Sequence, residues 1–193
     1  MSDEVVARAL ATLLENERAK PWAFGMTSLG LSRALGTDEA ALVQALAGAV
    51  ERGSLALRAG YYATSSFVPE LSAPQRAFFD QAFAPDPKEP YRPIERRALF
   101  AAMRAARIGG LELALDMLVA SGAVVQVAAD FYRGAQLEAI RSRLEAELRP
   151  RTGLTVAQFR TAIGTTRKYA VPLLEWFDAA GLTERRGDER FLR

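Results

Sequence analysis

Neither cysteine nor histidine occurs among the 193 residues. Their absence removes thiolate nucleophiles, Ser-His-Asp triads, disulfides and Cys or His zinc sites. Any enzyme built on this chain would have to run on carboxylates, Lys, Tyr or Ser. Lysine is scarce as well: only Lys20, Lys88 and Lys168 occur, so 22 of the 25 basic residues are arginine. No run of about 18 apolar residues exists to span a membrane. The opening MSDEVVARAL has neither the basic start nor the apolar core of a secretory signal. A soluble, cytoplasmic, non-enzymatic protein is the expectation. What is present is globular in balance, with half the residues hydrophobic, a quarter charged and a net charge of +2.

The organisation is a repeat anchored on glycine. Three segments align on Gly53, Gly122 and Gly181. Before the first, Leu42, Ala45, Leu46, Ala49 and Val50 fall on one helical face. Leu111, Ala114, Leu115, Leu118 and Val119 repeat that face before the second. Before the third come Ala170, Leu173, Leu174 and Phe177, but Asp178 stands where the other two have valine. Trp176 broadens the third stripe. After each glycine the period shortens to that of a strand, twice, around a polar turn: Arg58-Ala59-Gly60, Ala128-Ala129-Asp130 and Arg186-Gly187-Asp188-Glu189. Glycine past a helix end suits a left-handed cap, and paired short runs suit a hairpin.

Upstream lie shorter helical patterns at Leu29–Leu35, Pro93–Ala105 and Val156–Ile163, set off by turn residues at helix-turn-helix spacing. A further helix opens each unit at Asp3–Lys20, Ala73–Phe83 and Ala135–Leu148. Helix, helix-turn-helix and hairpin together make a winged helix. The expected fold is therefore mainly α with small β-hairpins, as three tandem winged-helix domains over 1–68, 69–134 and 135–193. The breaks are Phe67–Glu70 and Arg149–Gly153, with residues 84–90 a loop inside the second unit. Units of about 60 residues bury too little surface alone, so an elongated rod of packed neighbours is expected.

Several short patterns imitate chemistry. Gly25-Met26-Thr27-Ser28-Leu29-Gly30 copies the front of a phosphate-binding loop, but Leu31 occupies the place of the required lysine. It is expected to be a loop entering a helix. Arg186-Gly187-Asp188 spells an adhesion tripeptide, although Gly187 is better suited to supplying positive φ in a hairpin turn. Asp38/Glu39 sit where a helix begins, and Glu145/Glu147 sit on a helix studded with arginine, so capping and solvated faces explain both pairs.

The third unit differs from the others in its charge. Residues 1–70 carry six positive and eight negative side chains, whereas the chain from 151 onward carries eight positive and five negative. Arg167 and Lys168 open its second helix-turn-helix helix, and Arg185, Arg186, Arg190 and Arg193 crowd the wing. Basic side chains beside free N–H groups at a helix start suit phosphates. The body of that helix, Tyr169-Ala170-Val171-Pro172, is apolar. Pro172 is expected to kink it or delay its start, which favours gripping backbone and bulged bases over insertion into a groove.

The segment LTVAQFRTAIGTTRKYAVPLLEWFDAAGLTERRGDERFLR resembles the last winged helix of SelB, the bacterial selenocysteine-specific elongation factor family. The likeness rests on Phe159-Arg160, Arg167-Lys168-Tyr169, Pro172-Leu173-Leu174-Glu175, Asp178 and Thr183-Glu184-Arg185-Arg186-Gly187-Asp188. It covers about 40 residues, and the first two units match in architecture alone. The resemblance implies an RNA-binding C-terminal region that grips the selenocysteine insertion hairpin of mRNA. The residues it assigns to RNA are Thr166, Arg167, Lys168, Arg185, Arg186, Gly187 and Arg190. It implies ribosome and selenocysteinyl-tRNA as partners of the full-length factor, a monomer, and no cofactor in this chain. GTP and magnesium would belong to a GTPase part that is missing here, so a fragment cut at a domain boundary is expected. A winged-helix DNA-binding transcriptional regulator is the alternative, and would need dimerisation. A protein-interaction module is a third reading.

Overall fold

The computed structural model describes residues 2–58, 60–150 and 153–193. The chain runs through α1 (Ser2–Ala19), β1 (Met26–Thr27), α2 (Ser28–Leu35), α3 (Glu39–Glu51), β2 (Leu55–Arg58) and β3 (Tyr61–Thr64). Next come α4 (Ala73–Ala82), α5 (Arg96–Ala106), α6 (Leu111–Ala120), β4 (Val124–Val127) and β5 (Asp130–Arg133). The last set is α7 (Gly134–Leu148), β6 (Leu154–Thr155), α8 (Val156–Ala162), α9 (Arg167–Ala179), β7 (Thr183–Arg186) and β8 (Glu189–Leu192). This is the expected mainly helical fold with small antiparallel hairpins.

The hairpins hang from the anticipated helix ends. Gly53, Gly122 and Gly181 have φ of 71, 76 and 77°, the left-handed turn that ends a helix without a Cβ penalty. The starts of α2, α3 and α8 are capped by side chains. Thr27 Oγ1 accepts from Gly30 N at 3.1 Å, so the loop-like Gly25–Gly30 stretch is a helix entrance. Asp38 Oδ1 accepts from Ala41 N at 3.0 Å, while Glu39 accepts from the Ser28 hydroxyl. Thr155 and Gln158 form a reciprocal capping box at the start of α8.

Three details were not anticipated. β1 and β6, two residues each, add a third strand to the first and last hairpins, giving orders β1-β3-β2 and β6-β8-β7. The middle hairpin, β4-β5, has instead an isolated bridge between Ile94 and Phe131. That bridge holds the chain extended at Ile94, which is why α5 begins at Arg96 and not at Pro93. Pro172 neither delays nor ends α9, which starts five residues before it and runs seven beyond. Its missing N–H forfeits only the bond to the Lys168 carbonyl in the opening turns.

The chain forms two compact units. One comprises the described residues up to Arg76 with Ile108–Met117. Its core joins Leu13 of α1, Leu31 of α2, Leu42 and Leu46 of α3, Leu55 of β2 and Tyr62 of β3. Each such side chain contributes roughly 1.5–3 kcal/mol by leaving water. Glu17 is buried beside this core and accepts from Thr64 N at 2.7 Å and Thr64 Oγ1 at 2.8 Å, which ties α1 to β3. The other unit comprises Ala77–Arg107 with Leu118–Arg193. Its main core packs Leu137, Ile140, Leu144 and Leu148 of α7 against Phe159 of α8 and Leu173, Leu174 and Phe177 of α9. Gln136 Nε2 donates to the carbonyls of Pro90 and Arg92, both at 2.9 Å, and so anchors the end of the 84–90 loop.

Candidate nucleic-acid interface

The candidate residues fall into two clusters within residues 153–193. The first is the start of α9. Thr166 is the N-cap, with extended backbone and a hydroxyl that makes no capping bond. Its carbonyl accepts from Tyr169 N at 3.1 Å and Ala170 N at 2.9 Å. The N–H groups of Arg167 and Lys168 are thus among the donors that a helix start leaves without intrahelical partners. Both side chains are exposed, and Arg167 has no ion-pair partner among the described residues. Lys168 is engaged: its Nζ lies 2.7 Å from Glu95 Oε1, and the Tyr169 hydroxyl donates to the same oxygen at 2.7 Å. Those two donors hold the Glu95 carboxyl below its ordinary value. The bond from Lys168 to Glu95 in turn raises the lysine, and burial, followed by the bond to Glu95, raises Tyr169.

The second cluster is the β7-β8 hairpin. Arg186 pairs with Glu189 in register, so Gly187 and Asp188 alone make the turn. Gly187 has φ of 61°, the positive value its hairpin role requires. Arg185 Nε donates to the Gly187 carbonyl at 2.8 Å, which fixes the arginine stem along the turn. Arg186 pairs with Glu184, and its guanidinium carbon lies 4.9 Å from the centre of the Phe191 ring. Both arginines are exposed.

Arg190 is placed differently from the other candidates. It is 3% exposed, and its Nε donates to Asp178 Oδ2 at 3.3 Å. The other carboxylate oxygen of Asp178 accepts from Thr183 Oγ1 at 2.6 Å. The third stripe therefore breaks pattern at Asp178 because that residue has polar partners. Arg190 is inward-facing, unlike the exposed Arg185 and Arg186. No hydrogen bond or ion pair among the described residues joins the α9 cluster to the hairpin cluster.

Glu95 was not anticipated, nor were the arginines that follow it. Arg96, Arg97 and Arg104 of α5 line an open groove with Glu95, Phe100, Asp130 and Lys168. The consecutive Glu95-Arg96-Arg97 was visible in the sequence, but no local periodicity brings α5 beside the start of α9. The remaining acidic candidates are structural: Asp38 caps α3, while Glu145 pairs with Arg141 and Arg149, and Glu147 with Arg143, along α7.

Residues 147–192 match the family model described as elongation factor SelB, winged helix. No curated protein matches the chain. Among solved structures, the mRNA-binding domain of elongation factor SelB from E. coli, in complex with SECIS RNA, is similar at 25% identity with a TM-score of 0.50. The match covers 64% of this chain and 99% of that one. The bacterial selenocysteine-specific elongation factor EF-Sec shares the fold at 20% identity and a TM-score of 0.61, over 97% of this chain. This chain spans 28% of the length of EF-Sec.

Proposed function

With its last domain a member of the SelB winged-helix family, we propose that this chain is the mRNA-binding C-terminal region of a selenocysteine-specific translation elongation factor. The observation that carries this reading is a coincidence of two boundaries. The residues matching the family, 147–192, contain both basic clusters, the start of α9 and the β7-β8 hairpin. In this reading the last domain grips a selenocysteine insertion hairpin of mRNA, as the similar E. coli domain is seen bound to SECIS RNA.

Thr166, Arg167 and Lys168 meet phosphates at the α9 start, where unpaired N–H groups and positive charge coincide. Arg185, Arg186 and Gly187 form the edge of the wing that meets backbone and an unstacked base. Arg190 supports the wing from within. The chain performs no catalysis and holds no cofactor. GTP and magnesium belong to the GTPase part of the full-length factor, which also carries selenocysteinyl-tRNA and meets the ribosome. The working form of this region is a cytoplasmic monomer. Among the described residues, no helix is long and apolar enough to cross a membrane.

A salt-titrated binding assay tests the reading, using a bulged RNA hairpin of the selenocysteine-insertion type and duplex DNA of equal length. Preference for the hairpin, lost on replacing Arg185 and Arg186 by Ala, is the expected result. Equal affinity for both ligands with equally steep salt slopes would reduce the site to a non-specific basic patch. Tighter binding to the duplex would make the chain a DNA-binding regulator.

A further inference from the structure

Aligned on the helix-end glycine, three core positions change character together in the last hairpin. Three residues before the glycine stand Val50, Val119 and Asp178. Two residues after it stand Leu55, Val124 and Thr183. Nine after it stand Tyr62, Phe131 and Arg190. The last two positions are almost fully buried in every copy: Leu55, Val124 and Thr183 are 2%, 3% and 0% exposed, and Tyr62, Phe131 and Arg190 are 4%, 3% and 3%. Twice the chain fills this place with apolar side chains, and once with an acid, an alcohol and a guanidinium bonded to one another.

Stability does not explain the exchange. A buried ion pair gains little over well-packed apolar groups of similar volume, and often loses to them. Two copies of the apolar solution already exist in this chain. What a polar set adds is direction, because hydrogen bonds fix angles that apolar packing leaves loose. The direction here runs from the C-terminal end of α9 into both strands of the wing. Asp178 belongs to α9, Thr183 opens β7, and Arg190 lies in β8 directly across from Arg185. Two arginines facing each other across a hairpin repel. Asp178 neutralises the inner one and leaves the outer one with its charge available.

We propose that Asp178, Thr183 and Arg190 are positioning residues for RNA recognition, a polar brace that sets the wing and its Arg185 against α9. The inference rests on the RNA-binding reading given above. It assigns Arg190 a role through Arg185 and not through contact with RNA.

The test uses the full chain and two RNA probes, a bulged hairpin and the same hairpin with its bulge closed by pairing. One variant is Asp178→Val. The other, Asp178→Val/Thr183→Leu/Arg190→Tyr, installs the set Val50, Leu55 and Tyr62 of the first hairpin and folds even where an unpaired Arg190 does not. The brace predicts that the triple variant melts no lower than the unaltered chain yet loses about tenfold or more of its preference for the bulged hairpin. Asp178→Val should lose affinity too, although removing an acid from a basic surface would by charge alone raise it. Full discrimination by the triple variant overturns the proposal. So does a salt slope reduced by about one in the triple variant, since that marks Arg190 as a phosphate contact. Equal binding of the two hairpins by the unaltered chain would instead overturn the RNA reading, and the brace's role with it.

Discussion

In the first helix-turn-helix, α3 opens on Glu39 and Ala40; at the same distance from the helix-end glycine, α9 opens on Arg167 and Lys168. In the body of α3 the exposed residues Ala41, Val43, Gln44 and Ala47 are uncharged, and the exposed last residue, Glu51, is acidic. In the wings, Leu57 occupies the position that Arg185 holds in the last hairpin. The backbones correspond element for element, while the surfaces would attract different partners. A winged helix is thus a mount, and its partner is decided by a few side chains at two edges of it. The first copy has Glu39, Ala40 and Leu57 where the last has Arg167, Lys168 and Arg185, while Arg58 stands at the place of Arg186 and is common to both.

The sharpest way to break this contrast is to damage the first copy and watch the last. Leu46→Ala empties a fully buried site on α3 and should cost about 2–5 kcal/mol in urea denaturation. Hairpin affinity of the protein that remains folded should be unchanged; a matching fall would show that the first copy takes part in binding. Next in size, Arg185→Ala should weaken hairpin binding by about 1–3 kcal/mol while leaving the melting temperature nearly constant. Leu57→Ala, its counterpart in the first wing, should leave the same affinity untouched.

Two threonines at helix starts sharpen the distinction within the last copy. Thr155→Ala removes a capping box and should cost about 1 kcal/mol of stability without altering RNA affinity. Thr166→Ala removes a hydroxyl that caps nothing, so stability should hold while affinity falls. The smallest effect is expected at Glu95, whose carboxylate pairs with Lys168 and would compete with a phosphate for it. Glu95→Gln should raise hairpin affinity a few-fold at neutral pH. The pair has a defined pH window. Because Glu95 sits below its ordinary value when folded, its contribution is complete above the unfolded carboxylate range and disappears as the pH falls through the lowered value. Lys168, raised when folded, contributes at all pH values below the ordinary lysine range and loses its share only as the pH rises through the raised value. Denaturation curves of the unaltered chain and Glu95→Gln should therefore differ at neutral pH and converge in acid.

The repeat was legible because its signals are local. Gly53, Gly122 and Gly181 each end a helix in the left-handed conformation, and the apolar spacing before each one marks a buried face. β1 and β6 were not legible, since two-residue strands carry no period. Glu95 escaped for a different reason: its meeting with Lys168 spans 73 residues, and nothing in either neighbourhood announces it. Arg190 was counted among the wing's exposed cations because alternation cannot say which face of an isolated hairpin is covered. Asp178, odd in its stripe, was the available clue that a buried partner existed.

The two-residue turn at Gly187-Asp188 also sets a footprint. Strands of four residues, β7 and β8, extend about 13 Å. A strand of duplex DNA advances about 3.4 Å per nucleotide, so a wing of this reach matches roughly four nucleotides at that spacing. Under the RNA-binding proposal, a reader with so short a span would gather its information from the local shape of one bend or bulge and would leave the RNA on either side uncovered.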